Sequence, residues 1–138
     1  VDFFHGTYMT ALAENEILTA ILITPPAAGT GYAYQKLKRK TGDWATAGAA
    51  VLLRISAGVV TQAAIGLTNV APTALRARAA EAALVGKPVT DATLDAVGKL
   101  VRAQCAPAED LRGDIEYKTA MAGEMTQRAI RAAAARCA

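Results

Sequence analysis

Histidine is nearly missing from this chain: His5 is the only one among 138 residues, and it stands close to one end. A Ser-His-Asp set cannot be assembled plausibly around it, and no GxSxG nucleophile motif is present. Cysteine is almost as scarce. Cys105 and Cys137 lie far apart, with no CxxC and no histidine-rich neighbourhood, so a metal centre would lack soft ligands. Parity allows a bridge between the two, but reduced thiols in a cytoplasmic setting are the expectation. Neither GxxxxGKS/T nor GxGxxG occurs, so no phosphate-cradling glycine loop is expected. Apolar runs such as Ala45 to Leu53 are too short to span a bilayer, and the start Val1-Asp2-Phe3-Phe4 lacks a basic n-region. Aromatic residues are only 5% of the chain although 53% is hydrophobic, much of it alanine, which implies a thin, closely packed core. The net charge of +3 is modest, and no second basic cluster with interleaved aromatics is available for nucleic acid.

What is present gathers between Tyr34 and Leu53. Four cations fall in the five residues Lys36 to Lys40. Gly42-Asp43 then breaks the run, and Trp44, the only tryptophan, leads into small residues ending at Val51-Leu52-Leu53. Gly42 supplies backbone freedom and Asp43 can accept from its own backbone, so a tight Thr41-Gly42-Asp43 corner between two antiparallel strands is expected. On the first strand Tyr32, Tyr34, Lys36 and Lys38 share one face, with Ala33, Gln35, Leu37 and Arg39 on the other. Two plain readings stand beside a functional one. A lysine and arginine run is commonly a solvated strand face or a weak polyanion patch, and a lone tryptophan is commonly core.

Along the chain, residues 1–13 read as a loop whose aromatics Phe3, Phe4 and Tyr8 need cover. Ile17 to Ile23, β-branched and stopped by Pro25-Pro26, reads as a strand, and Ala27 to Gly31 as a flexible loop. After the corner, the second arm runs to Ile55. Ser56-Ala57-Gly58 turns, and Val59 to Val70 forms the next strand, with Val59, Thr61, Ala63, Ile65 and Leu67 in one row. Leu75, Ala79, Ala82 and Ala83 then take up helical spacing, ended by Gly86-Lys87-Pro88. Thr90 caps a second helix carrying Leu94, Val97, Leu100 and Val101. A third begins near Asp114 with Tyr117, Met121 and Met125 along one side, Tyr117 anchoring it on the sheet. Strands first and helices second predict an α+β single domain over residues 1–138, an antiparallel sheet covered on one face by three helices. Glu14 and Glu16 read as solvated turn charges, Glu109 and Asp110 as cap or loop residues. No catalytic constellation emerges, which points to a chain that works beside another domain.

Five segments occur in an order that carries a resemblance: D-F-F, T-A-L-A-E-N-E-I-L-T, Y-Q-K-L-K-R-K-T-G-D-W-A, I-G-L-T-N-V-A-P-T and R-G-D-I-E-Y-K-T-A-M-A. Together they resemble the C-terminal domain of the FAD-binding medium subunit of the molybdenum hydroxylases, which include xanthine dehydrogenase. K-R-K-T-G-D-aromatic looks closest to the aerobic carbon monoxide dehydrogenase branch. The resemblance implies an antiparallel sheet with three helices that closes over the isoalloxazine ring of FAD, and two preceding domains, absent from this chain, that hold the rest of the cofactor. This chain then reads as a fragment of a longer subunit. It further implies a large molybdenum subunit, a small iron–sulfur subunit with 2Fe-2S clusters, an external electron acceptor, and a cytoplasmic location, including the inner face of the membrane. Residue by residue, Leu12 matches a position whose backbone meets the polar edge of the flavin, and Lys36 a lysine near the ring. Trp44 stands where the branch often has tyrosine, an aromatic shielding one face of the ring, while Asp43 ties the corner that aims it. Arg112, Gly113 and Asp114 are expected to serve as helix-start and packing residues. Two other functions are carried beside this one: a non-catalytic subunit-docking domain of the same fold, and a basic polyanion-binding module using Lys36, Lys38, Arg39 and Lys40.

Overall fold

The structure, a computed structural model, describes residues 3–137. A short hairpin, β1 (Phe4–Gly6) and β2 (Met9–Thr10), comes first. The main sheet follows: β3 (Thr30–Leu37), β4 (Ala47–Ser56), β5 (Val59–Thr68) and β6 (Leu75–Arg76), antiparallel in the order β3-β4-β5-β6. Three helices close the chain: α1 (Arg78–Leu84), α2 (Asp91–Gln104) and α3 (Ile115–Ala134). The architecture is the expected α+β arrangement, an antiparallel sheet with three helices over one face. Helix α3 lies along β3 and β4, α1 lies against β5, and α2 packs on both helices.

Period-two alternation sorts the strand residues. Ala33, Ala47, Ala49, Val51, Leu53, Ile65 and Leu67 point under the helices and are buried, whereas Tyr32, Tyr34, Ala50 and Leu52 stand on the open face. One residue breaks the row. Arg54 pairs with Gln62 but Ile55 pairs with Val60, so Thr61 is the extra residue of a bulge. The inward row therefore runs through Val60 before the bulge and through Ala63, Ile65 and Leu67 after it, and neither Val59 nor Thr61 belongs to it. Thr90 and Asp114 accept from the N–H groups of Thr93 and Tyr117 and so cap α2 and α3 as their sequence positions predict.

Several expectations change. Ile17 to Ile23 forms no strand, and Ile17, Leu18, Ile21, Leu22 and Ile23 are all exposed. β-branched content expresses itself only against a neighbouring strand, and the described chain offers that segment none. Leu75 belongs to β6, paired with Leu67, rather than to the helix that follows. The buried stripe of α3 is Lys118, Ala122, Met125, Ala129 and Ala133; Met125 lies where expected, Lys118 and Ala122 take the places expected of Tyr117 and Met121, and Tyr117 is exposed. The anchor at that end is the Lys118 ammonium. Although the residue is only 1% exposed, its Nζ donates to Ala108 O at 2.7 Å and to Asp110 Oδ1 at 2.8 Å. Glu81, on the buried side of α1, accepts the Ile65 N–H at 2.7 Å and pairs with Arg76 of the short β6 strand.

The alanine-rich core lets backbones approach closely, most of all where the end of α3 crosses β3. A Cβ placed on Gly31 would lie 2.0 Å from the Ala133 carbonyl oxygen, whereas one on Gly66 would meet nothing within 4 Å. Gly31→Ala is accordingly expected to lower urea-unfolding stability by about 1–3 kcal/mol, as overpacked positions do. Gly66→Ala, in the same sheet, is expected to change it by no more than about 0.5 kcal/mol.

Candidate functional site

The Lys36–Lys40 run and Trp44 meet where β3 leaves the sheet. The link to β4 takes residues 38–46 and is wider than the tight corner expected, because β3 ends at Leu37 and β4 starts at Ala47. Within it the Asp43 N–H donates to Lys40 O at 3.2 Å, closing a turn that requires the positive φ of Gly42 (83°). Asp43 is the centre of the link and is 8% exposed. Its Oδ1 accepts the Trp44 N–H at 2.8 Å together with Arg112 Nε at 3.3 Å and a second Arg112 nitrogen at 3.2 Å. Its Oδ2 accepts Arg39 Nε at 3.1 Å. The Asp43 backbone oxygen accepts Lys36 Nζ at 2.7 Å. Two of the four cations thus turn inward to the bend, and Arg39 also donates to Leu111 O at 3.0 Å.

The loop before α3 completes this frame. The Arg112 guanidinium carbon lies 5.4 Å from the Trp44 ring centre, and the Arg112 carbonyl accepts from Thr46 Oγ1 at 3.3 Å. Asp110 accepts the Arg112 N–H at 2.8 Å and the Lys118 ammonium, which ties the loop to the buried side of α3. Opposite Trp44, Asn69 adopts a left-handed φ of 60° and donates from Nδ2 to Ala45 O at 2.7 Å and to Thr46 O at 3.3 Å.

Between these walls an open cleft of about 430 Å³ is lined by Tyr34, Lys36, Trp44, Thr68 and Asn69 together with residues 71–74. Trp44 is 70% exposed, an indole presented to solvent rather than set in the core. Lys36 and Trp44 are therefore brought together. Asp43 lies behind them in the bend, and Leu12 is not among the cleft walls, its N–H donating to Thr10 Oγ1 at 3.4 Å. Sequence reasoning placed Tyr34 on the strand face of Lys36 but passed over Arg112 and Asn69 as parts of this region. A signal for Arg112 was available, an arginine between Asp110 and the helix-capping Asp114, but nothing local places it on Trp44. Among the described residues, no group of three or more His, Cys, Asp and Glu is arranged to hold a metal, and no helix is long and apolar enough to cross a membrane.

Comparison with known proteins adds four findings. A family described as the CO dehydrogenase flavoprotein C-terminal domain matches residues 32–133, which include Lys36, Asp43, Trp44 and Arg112 but not Leu12. The chain is 57% identical over 136 residues to the carbon monoxide dehydrogenase medium chain of Hydrogenophaga pseudoflava, covering 99% of this chain and 47% of that one. It is 52% identical over 135 residues to the medium chain from Afipia carboxidovorans, covering 98% and 47%. A solved structure of carbon monoxide dehydrogenase from Hydrogenophaga pseudoflava that lacks the Mo-pyranopterin moiety superposes with a TM-score of 0.96. That structural alignment has 63% identity over 99% of this chain and 48% of the other. The chain spans about half the length of the curated relatives it matches.

The electrostatics of the bend give a pH signature. The Arg39 hydrogen bond, aided by the Trp44 N–H and Arg112, holds the Asp43 carboxyl below its ordinary value of 3.8, and Lys118 does the same for Asp110. The unfolded chain then binds protons more readily than the folded one between the depressed folded values and 3.8. Stability from these pairs is full above that window and is lost as pH falls through it. Urea titrations across acid pH should show a shallower fall for Asp43→Asn than for the parent chain, with Asp110 retaining the rest of the slope.

Proposed function

The chain belongs to the CO dehydrogenase flavoprotein C-terminal domain family, and from that premise we propose that it is the C-terminal part of the FAD-binding medium subunit of a molybdenum hydroxylase of the aerobic carbon monoxide dehydrogenase branch. The observation that carries this reading is one cleft with an exposed indole and a fixed ammonium on its walls. Such a cleft fits a flat, electron-accepting ring. The Lys36 ammonium has three protons and is held by the Asp43 carbonyl, which leaves donors for a ligand.

When bound, FAD supplies the redox chemistry that links 2Fe-2S clusters to an external acceptor. In this reading Lys36 steadies negative charge at the edge of the ring, Trp44 covers one face and keeps water from it, and Asp43 fixes the bend that carries both. The tyrosine often found at the Trp44 position would add a phenol; the indole keeps the stacking surface without it. The Leu12 backbone would approach from outside the cleft, toward the polar edge of the flavin. The preceding half of the subunit would hold the remainder of FAD, while a large subunit with the molybdenum cofactor and a small iron–sulfur subunit complete a cytoplasmic enzyme. On its own this portion would be inactive.

A second reading, a docking domain without a flavin role, is favoured by the open face of the sheet, where Tyr32, Tyr34 and Leu52 are exposed. The two readings separate in the assembled full-length enzyme. Trp44→Ala is expected to weaken FAD binding by about two- to tenfold, the loss of one aromatic stacking contact. Lys36→Ala is expected to lower the flavin midpoint potential. Unchanged FAD content and unchanged acceptor reduction in both variants would favour docking alone.

A further inference from the structure

Trp44 has little to hold it. It lies outside regular secondary structure, is 70% exposed, and is fixed at its backbone by the N–H bond to Asp43. An indole so placed would sample several rotamers unless something met its ring. One group does. The Arg112 guanidinium carbon lies 5.4 Å from the ring centre, yet Arg112 is not among the residues that line the cleft, whereas Trp44 is. The indole thus carries the cation on its ring and walls the cleft without Arg112 beside it there.

Arg112 is itself clamped. Its Nε and one terminal nitrogen reach Asp43 Oδ1 at 3.3 and 3.2 Å, its other terminal nitrogen is 3.8 Å from Asp110 Oδ2, and its side chain is only 23% exposed. Asp110 is in turn held by buried Lys118. A planar guanidinium can make these in-plane contacts and still offer its face to a ring, which an ammonium cannot do.

We propose that Arg112 is the positioning residue for Trp44: it stacks behind the indole, sets the ring's orientation and, by its charge, makes the cleft-facing side of the ring a better partner for the electron-rich reduced form of the flavin. This rests on the reading of Trp44 as a flavin-facing residue. Arg112 acts only through Trp44 and touches neither cofactor nor substrate. Arg39 also holds Asp43, so the bend keeps an ionic tie when Arg112 is replaced.

The test uses the assembled full-length enzyme with Arg112→Gln, Arg112→Lys, Trp44→Ala and the double variant Arg112→Gln/Trp44→Ala. The readouts are the FAD dissociation constant, the flavin absorbance band shape and the flavin midpoint potential. Arg112→Gln is expected to weaken FAD binding by about two- to fivefold, the worth of an exposed cation–π contact, and to lower the potential. Arg112→Lys, which keeps the charge but not the plane, should retain the Asp43 pair yet leave the band shape altered. In the Trp44→Ala background, Arg112→Gln should add nothing. Equal loss in both backgrounds would make Arg112 a structural staple of the bend and overturn the proposal, as would no effect of Arg112→Gln in the parent. Should Trp44→Ala itself leave FAD binding and band shape untouched, the flavin-facing reading fails and this proposal falls with it.

Discussion

The carboxylate of Asp43 joins two stretches of chain 69 residues apart, the bend after β3 and the loop before α3. Its two oxygens receive Arg39, Arg112 and the N–H of Trp44, and its backbone oxygen receives Lys36. Lys36 and Trp44, the cation and the indole of the cleft, are therefore both tied to this residue. A charged acceptor with only 8% exposure suits that task, because charge-assisted bonds are shorter and stronger than neutral ones and their partners are hard to replace. Removing it would leave two guanidinium groups without their shared acceptor and the indole without its backbone tie.

Small residues make room for this arrangement. The helices press on one face of the sheet through alanines and through Gly31, which permits backbone contact with the end of α3. On the other face, a Cβ on Gly48 would come within 3.0 Å of the Tyr34 hydroxyl and 2.9 Å of Thr68 Cγ2, so its absence lets Tyr34 lie across β4 toward the cleft. The covered face supplies the packing that stabilises the domain, and the open face supplies a floor for the site. The chain belongs to the CO dehydrogenase flavoprotein C-terminal domain family and spans about half the length of the medium chains it matches.

Much of this was legible locally. Alternation identified β3, β4 and β5, and Thr90 and Asp114 announced the starts of α2 and α3 through short-range bonds that depend on neighbouring residues alone. The role of Asp43 in tying its own corner was legible for the same reason. What could not be read depended on distant partners. Ile17 to Ile23 has the composition of a strand but, among the described residues, no strand beside it to pair with. The bulge at Thr61 arises in the pairing of β5 with β4, and the burial of Lys118 rather than Tyr117 at the start of α3 goes with Lys118 finding Asp110 and the Ala108 carbonyl. Arg112 was assigned to helix-start packing because its ring contact lies across the fold.

The central claim is that Trp44, held from behind and below, forms one face of a flavin site completed by the other half of the subunit. A high-resolution structure of the full-length subunit with FAD, in its assembled enzyme, tests this most directly. The account predicts the indole in van der Waals contact with the isoalloxazine ring, at about 3.5–4.0 Å between planes, with the Lys36 ammonium at the edge of the ring. An indole turned from the flavin, or separated from it by ordered water or another side chain, would contradict it.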